Sequence, residues 1–536
     1  MKKFPFYILL ACLIFTSCAQ SKKTKLVVYL VSDQLTPSIF IKYDTLFTGG
    51  FRWLIDNGIS YTNVHHNHAN TSTGPGHFAL STGVYPGKGG IIDNEWYDRD
   101  LKRIYYVVED TTAKNFSGKS IGRSYKNINF SSLADWIKNS NRLSKIVSLS
   151  GKDRSAILMG GSNPDLALWY DKNGGYTTSD YYLPELPSWV KKFNNDLNVA
   201  SYKDSIWAKL KKYDVYSNYS RVDNFKGEKV FSSKKNTKAV LPLSFSDMSL
   251  GSLLSGFYEY PQGDRSLIDL AIEASSRLNL GKDSAPDLLF VGLSAVDGVG
   301  HHFGPNSLEQ LDNYLRLDKN LMKLIDFINQ KIGLDNTLFV LSSDHGVMDL
   351  PEYLIAQNIA SGRVNLPFKR AVFSDIIEKI DKMIGPGKVF DSDNNFYFSR
   401  DMSDEESEIA TNIIKEKVLQ IEGVERALHI KDIESLPSSE QNNRLKNMIH
   451  PLKSPDVYTL LKKNWLWKSV YGSSHGTHHG YDSHVPLVIS RLEAKPKTLN
   501  FGAYTVDIPA SIAEILGLSY PKTIDGRPLP VDFEYR

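Results

Sequence analysis

Four apolar runs along the chain share one construction. Leu26-Val27-Val28-Tyr29-Leu30-Val31 ends in Ser32-Asp33, and Lys145 to Ser150 (KIVSLS) leads into Gly151-Lys152-Asp153-Arg154. Leu288 to Leu293 (LLFVGL) leads into Ser294-Ala295-Val296-Asp297, and Thr337 to Leu341 (TLFVL) leads into Ser342-Ser343-Asp344-His345-Gly346. Continuous rather than alternating apolarity predicts strands buried on both faces, as in a parallel sheet. Ligands of open α/β sheets bind beyond the carboxyl ends of the strands. Four ends carrying polar or ionisable residues therefore point to one shared site. A fifth run, Val485 to Ile489 (VPLVI), follows a loop rich in histidine.

Between these runs the period changes. From Asn306 to Gln330, Leu308, Leu311, Leu315, Met322, Ile325 and Ile328 recur at helical spacing, with Asn306 and Glu309 placed for a capping box. These apolar residues are core positions. Residues 158–285 are rich in Tyr, Trp, Asn and Lys and read as an insertion capping the site. Residues 350–470 hold a strand-like Asn395 to Phe398, a helical Asp404 to Leu419 and a second strand from Val424 to Ile430, which predicts a small α+β insert. The acidic Asp404-Glu405-Glu406 reads as a solvated first helical turn. The expected fold is α/β, a mainly parallel central sheet flanked by helices within one domain, 26–536, that carries both insertions.

Composition narrows the class. The 536 residues are 41% hydrophobic and 23% charged, in the range of a chain that buries a large core. With 63 basic and 60 acidic residues, the balance argues for neither nucleic acid nor a strongly anionic surface as partner. Lys2-Lys3, the apolar run Phe4 to Phe15, and Thr16-Ser17-Cys18 read as a signal peptide over residues 1–17, too short to span a membrane as a helix. The Phe-Thr-Ser-Cys ending resembles a bacterial lipobox, which implies acylation of Cys18, a lipidated tether over 18–25, and a periplasmic or outer-membrane-anchored protein. The two cysteines are Cys12 and Cys18, so the body has no disulfide and no thiolate ligand.

The chemistry gathers at the strand ends and at one turn. In Thr71-Ser72-Thr73-Gly74-Pro75-Gly76-His77 a hydroxyl precedes Gly-Pro-Gly and an apolar run, a pattern that delivers Thr73 to a helix start. By itself that threonine reads as a helix cap. Helix N-termini also attract phosphate-like anions. Asp344-His345 is a compact chelating pair, and Asp297-Gly298-Val299-Gly300-His301 adds an Asp and a His four apart. Asp33 adds a carboxylate, and His475 lies near His478, His479 and His484. Oxygen and imidazole ligands without thiolate suit catalytic Zn²⁺. Three Asp and three His suffice for two ions, and two ions about 4 Å apart can clamp the attacking and leaving oxygens of an in-line displacement.

Taken together, these residues resemble the alkaline phosphatase superfamily, and within it the phosphate-irrepressible bacterial alkaline phosphatases with a threonine nucleophile. The matching motifs are Val31-Ser32-Asp33-Gln34, Thr73 to His77, Asp93-Asn94-Glu95-Trp96-Tyr97-Asp98 and Lys152-Asp153-Arg154. They continue with Asp297 to Pro305, Asp344-His345-Gly346, and His475-Gly476-Thr477 followed by Tyr481 to Pro486. The resemblance implies that Thr73 attacks phosphorus and becomes a phosphothreonine. It implies one zinc held by Asp33, Asp344 and His345, activating the Thr73 oxygen, and a second held by Asp297, His301 and His475. It further implies that Asn94, Lys152, Arg154 and the backbone N–H of Gly74 hold the phosphoryl oxygens. Arg supplies a bidentate fork and Lys a point charge, which suits a dianion.

Two alternatives stay open at this point. His479 in His479-Gly480-Tyr481-Asp482 fits the related nucleotide pyrophosphatase/phosphodiesterase pattern, whereas His475 fits the monoesterase spacing; His484 reads as an orienting residue. The expected substrates are small-molecule phosphate monoesters, with a phosphodiesterase or an inactive surface-binding lipoprotein as the rivals. A sulfatase is disfavoured by the lack of a Cys- or Ser-x-Pro-x-Arg motif.

Overall fold

The computed structural model describes residues 23–118, 121–230, 238–468 and 470–536; the expected signal peptide and Cys18 lie outside them. The fully apolar Leu26–Ser32 (β1) is buried at every position and sits in the middle of a ten-stranded sheet. The other strands are Gly58–His65 (β2), Ile146–Ser150 (β3), Leu166–Asp171 (β4), Gly175–Thr177 (β5), Asp287–Leu293 (β6), Thr337–Ser342 (β7), His484–Ser490 (β8), Lys497–Leu499 (β9) and Ala503–Tyr504 (β10). Their spatial order is β9-β2-β8-β7-β1-β6-β3-β4-β5, with β10 beside β2. The five central strands β7, β1, β6, β3 and β4 run parallel. β8 is antiparallel to both β7 and β2, and β5 is antiparallel to β4, so the sheet is mixed around a parallel centre.

Alternation along each strand feeds two cores. Val28 and Leu30 of β1 pack with Leu289 and Val291 of β6 on one face, while Val27, Tyr29 and Val31 pack with Leu288 and Phe290 on the other. Helices cover both faces, which is why strands with no polar face are stable here. Register places Leu26 opposite both Asp287 and Thr337. The strands therefore end level with one another, and Asp33, Lys152, Asp297 and Asp344 leave the sheet at the same edge.

The two insertions differ from their expected bounds in one respect. Residues 158–285 are not wholly outside the sheet: β4 and β5 extend it, and the helix Pro261–Arg277 contributes Leu267, Leu270 and Ala271 to the core beneath it. The misplacement has a physical cause. Trp169, Tyr170 and Tyr176 are aromatic strand residues buried in the sheet, and their composition resembles that of a surface cap. Within 350–470, the strands Val389–Ser392, Asn395–Phe398, Val457–Leu461 and Val424–His429 form a four-stranded antiparallel sheet. The helices Leu366–Ile384 and Asp404–Val418 cover it, with a separate core that includes Phe373, Ile376, Phe396 and Ile414. Ser403 and Glu406 close a capping box at the start of the acidic helix.

The long amphipathic helix runs from Leu308 to Lys331. Its cap is Ser307, whose hydroxyl accepts from the Gln310 N–H at 3.0 Å. The expected cap, Asn306, instead donates to Asp349. Asp312 on this helix is fully buried and accepts from Trp207 Nε1 (2.7 Å), the Leu210 N–H (2.7 Å) and the Tyr216 hydroxyl. That one carboxylate ties residues 207–216 to the core.

Two outcomes test these contacts. Asp312→Ala leaves these three donors and Arg316 Nε without their acceptor and is expected to lower stability by about 2–4 kcal/mol, read from denaturant unfolding; an unchanged midpoint would show that the carboxylate does not hold this segment. The second concerns two fully buried histidines just after β2. His66 meets the Ser343 carbonyl and the Thr505 hydroxyl, while among the described residues neither ring nitrogen of His68 has a hydrogen-bond partner. Burial lowers His66 to about 3 and holds His68 well below its ordinary value. Unfolded histidine titrates near about 6.5, so below that pH protons bind the unfolded chain preferentially and stability drains as pH falls. The melting temperature should fall on going from neutral pH to about 5, and His68→Phe should make the fall shallower. A steeper or identical slope in the variant refutes this assignment.

Candidate active site

The helix Thr73–Thr82 begins at the sheet edge with Ser72 as its cap and Thr73 as its first residue. Ser72 does not cap with its own hydroxyl; it donates to Asp93 Oδ1 at 2.9 Å, and the Asn94 N–H donates to the same oxygen at 2.6 Å. Thr73 is buried, and its Oγ1 lies 3.3 Å from Lys152 Nζ and 3.2 Å from Arg154 Nη2. The helix approaches the Asp344 backbone so closely that a Cβ on Gly76 would lie 2.1 Å from the Asp344 carbonyl oxygen. Glycine at this position is what lets a helix N-terminus reach the strand ends.

Lys152 and Arg154 come from the turn after β3. Lys152 Nζ donates to Asp33 Oδ2 and to Asp297 Oδ2, the latter at 2.8 Å. Burial works against its charge, but Asp297 and Asp33 outweigh burial and hold the ammonium above its ordinary value. Arg154 is oriented by Tyr106, whose hydroxyl accepts from Nη1 at 3.3 Å and donates to Asp153. Asp153 also accepts from Arg123 Nε at 2.9 Å. The Arg154 Nε is buried without a hydrogen-bond partner.

Carboxylates and imidazoles gather beside these cations in two groups, Asp33 with Asp344 and His345, and Asp297 with His345 and His475. Within each group one ligand-type atom per residue lies within 4.8 Å of the others. His345 belongs to both, and its ring stacks on His475 with centroids 3.5 Å apart. His301 joins the second group through contacts of 3.2 Å to Asp297 Oδ1 and 3.3 Å to His475 Nε2. All three histidines donate Nδ1–H to a backbone carbonyl: His301 to Ser473 (2.9 Å), His345 to Gly346 (3.0 Å) and His475 to Thr71 (2.7 Å). That orients each ring so that its Nε2 faces the carboxylates.

This donor set fits divalent metal. Asp33 Oδ1, Asp344 Oδ2 and His345 Nε2 are buried ligand atoms without hydrogen-bond partners, an arrangement otherwise unfavourable in a protein interior. Burial opposes the charge on Asp344, but His345 and His77 hold its carboxyl well below the usual range; His301 and Lys152 do the same for Asp297. Burial alone would depress His345, yet Asp344 and Asp33 raise it to about 9. Burial and the adjacent His345 push His475 down to about 3. Protons and Lys152 balance the carboxylates, and a dication offers the same balance.

One expected donor is placed differently. The Gly74 N–H, expected to face a phosphoryl oxygen, donates to Asn94 Oδ1 at 2.7 Å. Asn94 thereby spends its oxygen on the helix and keeps its NH₂ as the donor. Of the two candidate C-terminal histidines, His475 lies in the cluster. His479 Nε2 bonds the Leu461 carbonyl at 3.1 Å, and His484 stacks on His65 while bonding the Thr62 carbonyl. Several supporting residues lie inside the matching motifs, which by themselves assign them no role. Gln34 Nε2 donates to Asp297 Oδ1 at 2.7 Å, and its side chain fills the space that a Cβ on Gly300 would need. His77 Nδ1 lies 2.9 Å from the Thr73 carbonyl and 3.2 Å from Asp344 Oδ2. Asp482 accepts from the Thr477 N–H and hydroxyl, which braces the loop carrying His475.

A hydroxyl at a helix N-terminus, two cations aimed at it and a buried carboxylate–imidazole cluster define the class: a metal-dependent site built to act on an anionic ester. The chain belongs to the type I phosphodiesterase / nucleotide pyrophosphatase family, which matches residues 27–482. It is 31% identical to alkaline phosphatase PhoV of Synechococcus elongatus over 94% of this chain and 92% of that one. It is 30% identical to alkaline phosphatase PafA of Elizabethkingia meningoseptica, covering 97% and 98%. The crystal structure of wild-type PafA superposes with a TM-score of 0.87 at 29% identity, covering 95% of this chain and 98% of that one.

The supporting shell is testable. His77→Ala and Gln34→Ala should each weaken divalent-metal affinity about 10- to 100-fold, measured by metal titration of the purified protein. Unchanged affinity in both would mean that neither side chain positions a ligand.

Proposed function

We propose that this protein is an alkaline phosphatase, a metal-dependent phosphomonoesterase that works through a phosphothreonine at Thr73. The observation that carries this reading is the Thr73 hydroxyl, within hydrogen-bond reach of both Lys152 and Arg154 and beside the carboxylate–imidazole cluster. Full-length similarity to proteins named alkaline phosphatases supports it. Asp33, Asp344 and His345 would hold one divalent ion, and Asp297, His301 and His475 a second. Ligands of oxygen and imidazole favour zinc. Ions bound there supply Lewis acidity for a hydroxyl's deprotonation and for charge on the leaving oxygen.

The chain's own residues do the rest. The Thr73 oxygen, its proton lost, attacks phosphorus in line as the ester P–O bond breaks and the leaving alkoxide departs to take up a proton, and the N-terminal end of the helix favours the negative charge. Lys152 and Arg154 hold the non-transferred oxygens, with Asn94 adding its NH₂. Two cations match the dianion of a monoester better than the monoanion of a diester, which favours monoesters over the diesters in the family's name. Water then cleaves the phosphothreonine and returns the hydroxyl. Outside the described residues, the leader and Cys18 extend the proposal to an exported, lipid-anchored protein. Among the described residues no helix is long and apolar enough to cross a membrane.

Thr73→Ala should retain its metal yet lose trapped phosphoenzyme and at least about a thousandfold in hydrolysis of a simple aryl phosphate. Chelation by EDTA should abolish wild-type turnover. Normal phosphoenzyme in Thr73→Ala would place the nucleophile elsewhere, and a wild-type preference for diesters would overturn the monoester assignment.

A further inference from the structure

The cleft before Thr73 continues outward past the residues that face the nucleophile. It is a cavity of about 570 Å³, and besides Lys152, Arg154, Asp297 and His301 its wall carries Lys229 and Lys468. These two lysines have no assigned work. Among the described residues, Lys468 Nζ donates to the Ser473 carbonyl at 2.9 Å, an acceptor it shares with His301 Nδ1 3.4 Å away, and Lys229 Nζ lies 3.3 Å from His302 Nε2. Neither reaches a carboxylate. Glu259 is the other acidic group on this wall; it interacts with Asp297, Tyr258 and Lys152, and with Asp297 it favours the Lys468 charge, against burial and the cations Lys229 and Arg363.

The position of the pair is as telling as its charge. His301 presents Nε2 to Asp297 at 3.2 Å, and its opposite nitrogen faces Lys468. The outer lysines thus begin one imidazole ring away from the cluster. A phosphoryl group held by Lys152 and Arg154 leaves its ester substituent in the same cavity. Two ammonium groups there, Lys468 half-buried and Lys229 exposed, neither ion-paired with a carboxylate among the described residues, are stabilised by an anion on that substituent. Trp467 and Tyr471 line the cavity next to them.

We propose that Lys229 and Lys468 form a second anion subsite. It selects singly substituted phosphoryl groups, esters or anhydrides, whose leaving group carries another phosphate or a carboxylate within a few bonds of the scissile phosphorus. The inference rests on the phosphomonoesterase reading and names its substrate class. A charge-assisted hydrogen bond lost from such a site corresponds to about tenfold in kcat/KM.

The test compares kcat/KM of the metal-loaded full-length protein for p-nitrophenyl phosphate, ADP and 3-phosphoglycerate. The variants are Lys468→Ala, Lys468→Glu and Lys229→Ala. The ratio of ADP or 3-phosphoglycerate to the aryl phosphate should fall about tenfold in each alanine variant, through KM, and further with Lys468→Glu. A fall with ADP alone identifies phosphate as the second anion, and a fall with 3-phosphoglycerate alone identifies carboxylate. Wild-type ratios for both substrates in all three variants overturn the subsite. A wild type that hydrolyses none of the three overturns the phosphatase reading, and the subsite with it.

Discussion

Asp33, Asp297 and Asp344 are buried side by side where three strands end, and everything around them serves to make that arrangement tolerable. Two like charges 4 Å apart repel by about 4 kcal/mol at an effective dielectric of 20. The chain meets this with Lys152 bridging Asp33 and Asp297, with His77 against Asp344, and with three imidazoles whose Nε2 atoms face the carboxylates. A cluster of this kind adds little as a structural element, since apolar residues of similar volume are commonly as stabilising or more so. Its retention makes sense as a binding site for positive charge, and the ligand atoms left without hydrogen bonds say where that charge belongs.

The parallel sheet makes the cluster possible. Strands in parallel register deliver their following residues to one edge, so carboxylates far apart in the chain meet without any long-range design in the loops. Precision then comes from backbone contacts. Carbonyls of Ser473, Gly346 and Thr71 orient the three histidines, and these belong to segments on both sides of the site. The nucleophile's helix is admitted by Gly76 and held by the Asp93 carboxylate beneath Ser72 and Asn94.

Much of this was legible in the chain because the site consists of strand ends. A continuous apolar run that stops at Asp or Lys is a local signal of a buried strand whose end faces the site, whereas the spatial order of the strands is not that of the chain. What stayed hidden depends on packing across distance. The cap of the long helix falls on Ser307 and not Asn306, because Asp349, forty-three residues away, takes the Asn306 amide. Asn94 intercepts the Gly74 N–H by virtue of a turn that no spacing predicts. Gln34 and His77 sit inside quoted motifs, yet their bonds to Asp297 and Asp344 follow from the sheet's register. Tyr106 lies on the Arg103–Tyr106 strand of a small hairpin and has no sequence cue at all.

Chemistry and selectivity are carried by different parts of this molecule. The nucleophile, the cations that face it and most of the carboxylate–imidazole cluster sit on the sheet edge, where a shift of a strand would move several of them at once. Trp467 and Lys468 belong instead to the segment returning from the α+β insert, and Lys229 to the loop after the helix Tyr213–Tyr219. Segments of that kind tolerate substitution without disturbing a buried core. A change there can alter which leaving groups the cleft accepts while the geometry around Thr73 stays put. The same division explains why the reacting groups could be recognised from strand endings, whereas the outer lysines become visible only once the cavity wall is assembled.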